Sequence, residues 1–112
     1  GNGNGNGESD PTVAATASNV FDPETITIST GETVTWTFES AGHNVECNPE
    51  QSDQASLPEG ADPFASYEGD NRFDTNAQGS TYEYQFDVAG EYTYVCVPHA
   101  AQGMVGTVVV EE

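Results

Sequence analysis

The feature that most constrains the fold is a series of short stretches in which apolar and polar residues alternate, as they do in β-strands with one buried face. In the stretch TVTWTFE, residues 33–39, one face carries Val34, Trp36 and Phe38, and the other carries threonine and glutamate. Similar stretches occupy residues 12–17, 25–29, 81–86, 91–96 and 105–112. Because glycine-containing turns separate these stretches and helical periodicity is almost absent, the sequence predicts a small all-β sandwich.

One long segment, residues 48–74, interrupts this pattern. It contains three prolines, several acidic residues and little periodicity. We therefore predict an irregular excursion over the surface that links strands of opposite sheets. Three aromatic residues are expected to hold the excursion against the sandwich: Phe64, Tyr67 and Phe73.

The limits of the domain are predicted from composition. The opening residues, GNGNGNGESDP, have low complexity and are typical of a flexible linker. We therefore expect a linker over residues 1–11 and one domain over residues 12–112. The sequence contains neither a signal peptide nor a run of about 20 apolar residues that would span a membrane.

The charge of the chain is strongly negative, because 19 Asp and Glu residues stand against a single basic residue, Arg72, for a net charge of −18. Such a surface repels phosphate groups, which argues against nucleic-acid binding. The acids do not cluster as calcium ligands do, and they are scattered rather than gathered in a tail. Since the Debye length is only about 3 Å in about 1 M salt, this distribution favours a protein adapted to high salt.

The nine residues CVPHAAQGM, from Cys96 to Met104, hold the only methionine, one of two cysteines and one of two histidines. Thiolate, imidazole and thioether together form a ligand set suited to copper. The second histidine, His43, follows the strand predicted at 33–39, and loops that are distant in sequence can meet at one end of a sandwich. His43 could therefore complete a site with His99, the cysteine and an axial methionine.

Simpler explanations of these residues remain open at this point. A lone histidine after a strand is usually a surface residue or one whose hydrogen bonds are satisfied, and a lone methionine usually fills a core. Two cysteines in a sandwich also fit an immunoglobulin-like domain with a Cys47–Cys96 disulfide, although Trp36 lies before both cysteines instead of between them. An extended chain places His43 and Cys47 about 13 Å apart, so this disulfide and a metal bridge between His43 and Cys96 nearly exclude each other. We favour the metal site, which leaves Cys47 as a buried free thiol.

Two segments resemble the cupredoxins, the small blue-copper proteins. GEYTYVCVPHAAQGMVGTVVV, residues 90–110, is similar to the C-terminal half of plastocyanin and pseudoazurin, and GHNV, residues 42–45, resembles the segment with their first histidine. The acidity, the linker and residues 77–96 look most like the halocyanins, plastocyanin-type proteins of halophilic archaea. The resemblance implies a Greek-key β-sandwich of about eight strands with one type 1 copper ion at one pole. It also implies four copper ligands: His43, Cys96, His99 and Met104.

The resemblance implies further roles around the copper ion. Asn44 corresponds to the residue that ties the two ligand loops together, and Pro98 is expected to hold His99 with one ring edge at the surface. Electrons are expected to leave through this edge, within a small apolar docking patch formed by Ala41, Val97, Pro98, Ala100 and Ala101. Plant plastocyanins usually carry an exposed aromatic residue immediately before the ligand cysteine. Here that residue is Val95, which argues against a second electron route.

The predicted function is a small blue-copper electron carrier, not an enzyme, that cycles between Cu(I) and Cu(II) at the membrane surface of a halophile. Its partners would be redox proteins of a membrane electron-transport chain, and the carrier itself is expected to be a monomer. Two alternatives share part of this prediction: a cell-surface module that binds or delivers copper, and a metal-free, disulfide-bridged interaction domain. The resemblance also implies an extracytoplasmic location, with attachment to the outer face of the membrane through an anchor upstream of the linker.

Overall fold

Nine strands and one 3₁₀ helix build the part of the chain that the computed structural model describes, residues 11–112. The predicted linker, residues 1–11, lies outside these residues apart from Pro11. In chain order the elements are β1 (Thr12–Ala15), β2 (Phe21–Asp22), β3 (Thr25–Ser29), β4 (Thr33–Phe38), β5 (Glu46–Cys47), β6 (Phe64–Ala65), β7 (Thr81–Gln85), β8 (Gly90–Val95), the 3₁₀ helix (Val97–Gln102) and β9 (Val105–Glu111). These residues include no helix with the length and hydropathy that a membrane crossing requires.

The strands form two sheets, with the orders β2-β1-β4-β7 and β3-β9-β8-β5-β6. The pairs β1–β4 and β3–β9 are parallel, and the other neighbouring strands are antiparallel. The consecutive strands β3 and β4 belong to different sheets, as do β2 and β3, so the chain crosses repeatedly between the layers. This arrangement confirms the predicted all-β sandwich.

The core lies between the two sheets, where the alternating faces meet. In β4 the side chains of Val34, Trp36 and Phe38 are buried while the threonines between them are partly exposed. The Trp36 ring lies edge-on to Tyr94 of the other sheet, with 5.3 Å between the centroids, and 5.6 Å from Tyr82. Large aromatic rings contribute most of the burial energy of such a core. The packed middle of the sandwich therefore fixes the positions of the strand ends from which the loops at its poles begin.

The segment 48–74 links β5 of one sheet to β7 of the other, as predicted. It is more ordered than expected, because β6 lies within it and pairs with β5, where Phe64 stands opposite Cys47. Phe64 is buried in the core. The two-residue strands β2, β5 and β6 are too short for an alternating pattern, which is why the sequence did not predict them.

The far end of this segment is held in a different way from the one predicted. Phe73 is 72% exposed, so the prediction that it packs against the sandwich is wrong. The neighbouring Arg72 turns inward instead and bonds the buried carboxylate of Glu46, to which the Tyr67 hydroxyl also donates. A bidentate ion pair therefore replaces the expected aromatic contact at this point.

Candidate metal centre

His43 enters the interior at the turn that follows β4. Gly42 has a φ of 95°, a left-handed conformation that glycine adopts without steric cost. The backbone of His43 then pairs with that of Asn76, whose N–H donates to the His43 carbonyl oxygen at 2.9 Å. As a result the imidazole is only 1% exposed.

The protonation state of His43 follows from its hydrogen bonds. Its Nε2 lies 2.9 Å from the carbonyl oxygen of Thr16, which can only accept, so Nε2 carries the proton and Nδ1 keeps a free lone pair. Burial lowers the pKa of His43, the bond to Thr16 opposes this effect, and the neighbouring His99 lowers the pKa further. A neutral imidazole with a fixed tautomer is the form that binds metals.

A short loop between β8 and β9 carries three further candidate residues. The Cys96 N–H donates to the Met104 carbonyl oxygen at 3.1 Å, and the Met104 N–H donates to the His99 carbonyl oxygen at 3.2 Å. Pro98 stands at the start of the 3₁₀ helix in this loop, where its fixed φ suits the first turn. These bonds close the loop on itself, and the side chains of Cys96 and Met104 are fully buried.

The two segments bring three metal-binding side chains together. Cys96 Sγ lies 3.7 Å from His43 Nδ1 and 3.4 Å from His99 Nδ1. All three donor atoms lie within 4.8 Å of one another. Donors about 2.1 Å from a shared ion in a trigonal arrangement would be about 3.6 Å apart, so the spacing fits a metal. Two imidazole nitrogens and one thiolate are the donors of trigonal copper sites.

The thiol of Cys96 is protonated when nothing is bound to it. Burial raises the pKa of Cys96, and the backbone N–H groups of Asn44 and His99 offset this effect only in part. Because the thiolate is the form that binds a metal, an ion that binds here must displace this proton.

Sequence comparison identifies the family. Residues 9–111 match the family model described as copper binding proteins, plastocyanin/azurin family. The chain belongs to this family. The prediction of a cupredoxin with copper as its cofactor is thereby confirmed.

Individual cupredoxins show the same relationship. The chain is 42% identical over 94 residues to a plastocyanin of Scenedesmus fuscus, which covers 82% of this chain and 87% of that protein. It is 43% identical to a chloroplastic plastocyanin of Tetradesmus obliquus and 39% identical to a halocyanin of Natronomonas pharaonis, over 82% and 81% of this chain. It spans only 59% and 48% of the length of these two proteins.

Solved cupredoxin structures have the same fold. Pseudoazurin from Methylobacterium extorquens is 26% identical, with a TM-score of 0.66 over 93% of this chain and 76% of that one. Amicyanin from Paracoccus versutus is 27% identical, with a TM-score of 0.64 over 93% of this chain and 83% of that one. The candidate metal centre therefore lies in a cupredoxin sandwich.

Asn44 connects the two segments of this cupredoxin that carry the candidate ligands. Its side-chain oxygen accepts a hydrogen bond from the Val97 N–H at 2.9 Å. Its amide nitrogen donates to the carbonyl oxygens of Arg72 and Asp74, each at 2.9 Å. Asn44 follows His43 and Val97 follows Cys96, so this hydrogen bond holds the two segments at a fixed separation. Asn44 is fully buried.

The residues predicted to form the docking patch differ in exposure. His99, Val97 and Ala100 are half-buried, whereas the remaining three are exposed: Ala41, Pro98 and Ala101. The half-buried imidazole of His99 contrasts with the buried one of His43, so it is the ligand candidate that reaches the surface of this cupredoxin. Val95 is fully buried.

Cys47 lies apart from the metal centre. Its side chain is fully buried, and its Sγ contacts the carbonyl oxygens of Thr93 and Ser56 at 3.3 and 3.4 Å. Burial, aided by the charge of Glu46, raises the pKa of the Cys47 thiol to about 12. Both cysteines are free, so the predicted buried thiol is what the structure contains.

Several contacts that support the site were not predicted from the sequence. The Thr16 carbonyl oxygen accepts a hydrogen bond from His43 Nε2, 27 residues away in sequence. The Gln54 side chain donates to the Ala100 carbonyl oxygen at 3.0 Å. Threonine and glutamine are common residue types, so nothing in the sequence singled out these two. Arg72, however, is the only basic residue of the chain, and that scarcity was a signal that it has a specific partner.

Proposed function

We propose that this chain is a blue-copper electron carrier in which His43, Cys96, His99 and Met104 bind one type 1 copper ion. The convergence of two imidazole nitrogens and one thiol within 4.8 Å carries the proposal, together with membership of a copper-binding family. Copper, when bound, supplies a one-electron couple between Cu(I) and Cu(II).

The contribution of the chain is to hold the ligands in place. Thr16 fixes the ring of His43, Asn44 ties the two ligand segments together, and backbone bonds close the loop between Cys96 and Met104. Cu(I) and Cu(II) prefer different coordination geometries. A rigid site that both states accept changes little when an electron arrives or leaves, so transfer needs little rearrangement.

The exposed edge of the site supports a route for the electron. His99 is the half-buried imidazole, and we propose that partners dock over it, on the apolar patch of Ala41, Val97, Pro98, Ala100 and Ala101. A second route through the residue before Cys96 lacks support, because Val95 is buried and aliphatic. In concentrated salt the charges of the protein are screened over a few ångströms, so docking depends on this patch more than on acidic steering.

Burial favours a carrier over a module that delivers copper. Delivery requires ligands that a receiving protein can reach, whereas His43 is 1% exposed and Cys96 is 0% exposed. The disulfide-bridged alternative has no support from two free cysteines. As in plastocyanin-like carriers, we propose no catalytic activity for the chain.

The setting of this carrier is also part of the proposal. We infer a halophilic source from the net charge of −18 and from the similarity to a halocyanin. Residues 1–11 would be a linker to a membrane anchor on the outer face of the cell, and residues 12–112 a monomeric domain. The partners would be donor and acceptor proteins of a membrane electron-transport chain.

Copper titration tests the function. Addition of Cu(II) to the reduced protein should produce an intense blue absorption and a reversible one-electron couple. Cys96→Ser should remove the colour, while the matched variant Cys47→Ser should keep it, since Cys47 lies outside the site. Copper that binds without colour, or that a weak chelator removes at once, would favour the delivery module. A colour lost equally in both variants would contradict the proposed ligand set.

A further inference from the structure

The only basic side chain of the protein pairs with a buried acid. The Glu46 carboxylate is 0% exposed. Its oxygens accept from Arg72 Nε at 2.8 Å and from Arg72 Nη2 at 3.1 Å. Hydroxyl groups of Ser52 and Tyr67 donate to the same carboxylate. Arg72 is the only Lys or Arg of the sequence, and in the described part of the chain it pairs with this buried carboxylate.

The same arginine is also held through its backbone. Its carbonyl oxygen accepts from the Asn44 amide nitrogen at 2.9 Å, and so does the carbonyl oxygen of Asp74. Asn44 and Glu46 are two residues apart, so their side chains leave the segment on the same side. Arg72 is therefore held both through its guanidinium, which bonds Glu46, and through its carbonyl oxygen, which accepts from Asn44.

The hydrogen bond from Asn44 to the Arg72 carbonyl oxygen connects this arginine to the candidate metal centre. The Asn44 amide accepts from the Val97 N–H through its oxygen and donates to the carbonyls of Arg72 and Asp74 through its nitrogen, so the two carbonyls help to orient the oxygen. Val97 is the residue after Cys96. Loss of the guanidinium would leave a buried carboxylate without a counter-ion, which is strongly destabilising locally and would displace the segment from Glu46.

The acid of this pair is buried, whereas the Arg72 side chain is 26% exposed. Ion pairs at the surface are screened by salt and contribute little. The carboxylate of Glu46 is shielded from solvent, and the bonds from Arg72, Ser52 and Tyr67 overcome the effect of burial and lower its pKa. Salt should therefore screen this ion pair less than it screens pairs in which both partners are exposed.

We propose that Arg72 is a positioning residue of the metal centre. By bonding Glu46 it fixes the carbonyl groups that orient Asn44, and Asn44 in turn fixes the Val97 N–H beside Cys96. The consequence for bound copper rests on the ligand set proposed above. The consequence for the Val97 N–H does not depend on copper.

Amide hydrogen exchange in the metal-free protein tests the first consequence. In Arg72→Met the Val97 amide should exchange at least about tenfold faster than in the unmodified protein, because its hydrogen bond opens locally. The β8–β9 amides should change less. Arg72→Lys, which keeps a cation beside Glu46, should restore part of the protection. Val13→Ala in β1 is the control, since it weakens the core from a strand of the other sheet.

The copper-loaded protein tests the second consequence. Arg72→Met should shift the blue absorption band and the reduction potential, Arg72→Lys should shift them less, and Val13→Ala should leave both unchanged. The proposal is overturned if Val97 exchange rises no more than that of the β8–β9 amides, or if spectrum and potential match those of the unmodified protein. If Arg72→Met does not fold, the comparison of Arg72→Lys with Val13→Ala decides. An unmodified protein that never turns blue would refute the proposed function but leave the exchange test standing.

Discussion

Tyr94 and Gly106 lie directly opposite each other in the β8–β9 pair, and the tyrosine ring covers the glycine. A β-carbon at position 106 would meet Cζ and Oη of Tyr94 at 2.4 Å, far inside van der Waals contact. The next pair along, Val95 and Val105, closes the base of the ligand loop. The close approach of this ring to the backbone therefore requires glycine at position 106, one residue pair from the base of the loop.

Gly106→Ala should destabilise the domain by about 1 to 3 kcal/mol, because the new methyl group must push the Tyr94 ring out of a close-packed core. Chemical denaturation measures this loss. In a Tyr94→Leu background, which has no ring at this place, the same substitution should cost less. An equal cost in both backgrounds would show that the clash is not the cause.

The stability of the protein should rise steeply with salt. With a net charge of −18, repulsion between carboxylates acts over about 10 Å in 0.1 M salt but over only about 3 Å in 1 M salt. The free energy of unfolding, measured at a series of NaCl concentrations, should therefore increase most below about 1 M. A triple variant at exposed acids, Glu50→Gln, Asp53→Asn and Glu59→Gln, should show a weaker increase. A stability independent of salt would contradict adaptation to a saline environment.

The Glu46 carboxyl should contribute a defined pH dependence. Burial raises its pKa, but hydrogen bonds from Arg72, Ser52 and Tyr67 outweigh this effect, and the net pKa is below the ordinary value. A carboxyl whose pKa is lowered by folding stabilises the folded state above its ordinary pKa, and this contribution is lost as the pH falls through the lowered value.

Glu46→Gln should therefore differ most from the unmodified protein at neutral pH, and the difference in unfolding free energy should shrink below about pH 4. Denaturation at several pH values in constant salt measures this difference. The variant Glu50→Gln, at an exposed position, is the control for the loss of a carboxylate from the surface. A Glu46→Gln effect of constant size across this range would rule out the ion pair as its source.

Docking at the His99 edge predicts a local effect of charge. Ala100→Asp should slow electron transfer to a redox partner by about tenfold or more, since it buries a charge in an apolar contact. Ala89→Asp is the matched control: this alanine is equally half-buried but precedes β8, at the strand end opposite Cys96. Stopped-flow kinetics with a common partner compare the two variants. Equal rates in both would remove support for the patch.

Much of the fold was predictable because its signals are local. Alternation over five or more residues marked β3, β4, β7, β8 and β9, and a buried face follows from such a pattern wherever the partner strand lies. The candidate ligands Cys96, His99 and Met104 were visible for the same reason, since one short loop carries all three. The family match then confirmed the cupredoxin prediction.

The excursion was harder to predict because its contacts join residues that are distant in sequence. Phe73 is aromatic and was expected to anchor the segment, yet its side chain is exposed. Arg72 beside it instead bonds the carboxylate of a residue 26 positions away. Neighbouring residues of an irregular segment have no fixed period, so nothing local decides which of the two points inward. The inward position of Glu46 was equally hidden, because both faces of β5 are covered.

The sequence by itself therefore determined the sandwich class, the three candidate ligands of one loop and the acidic surface, all of which depend on residue type and short spacing. Only the tertiary structure decided that His43 presents Nδ1 to Cys96, because a carbonyl at Thr16 holds the other nitrogen. It alone placed the single arginine against Glu46. Both contacts join segments that are distant in sequence and meet only after the two sheets have packed. The free energy of that packing, which no short stretch of sequence reveals, therefore decides them.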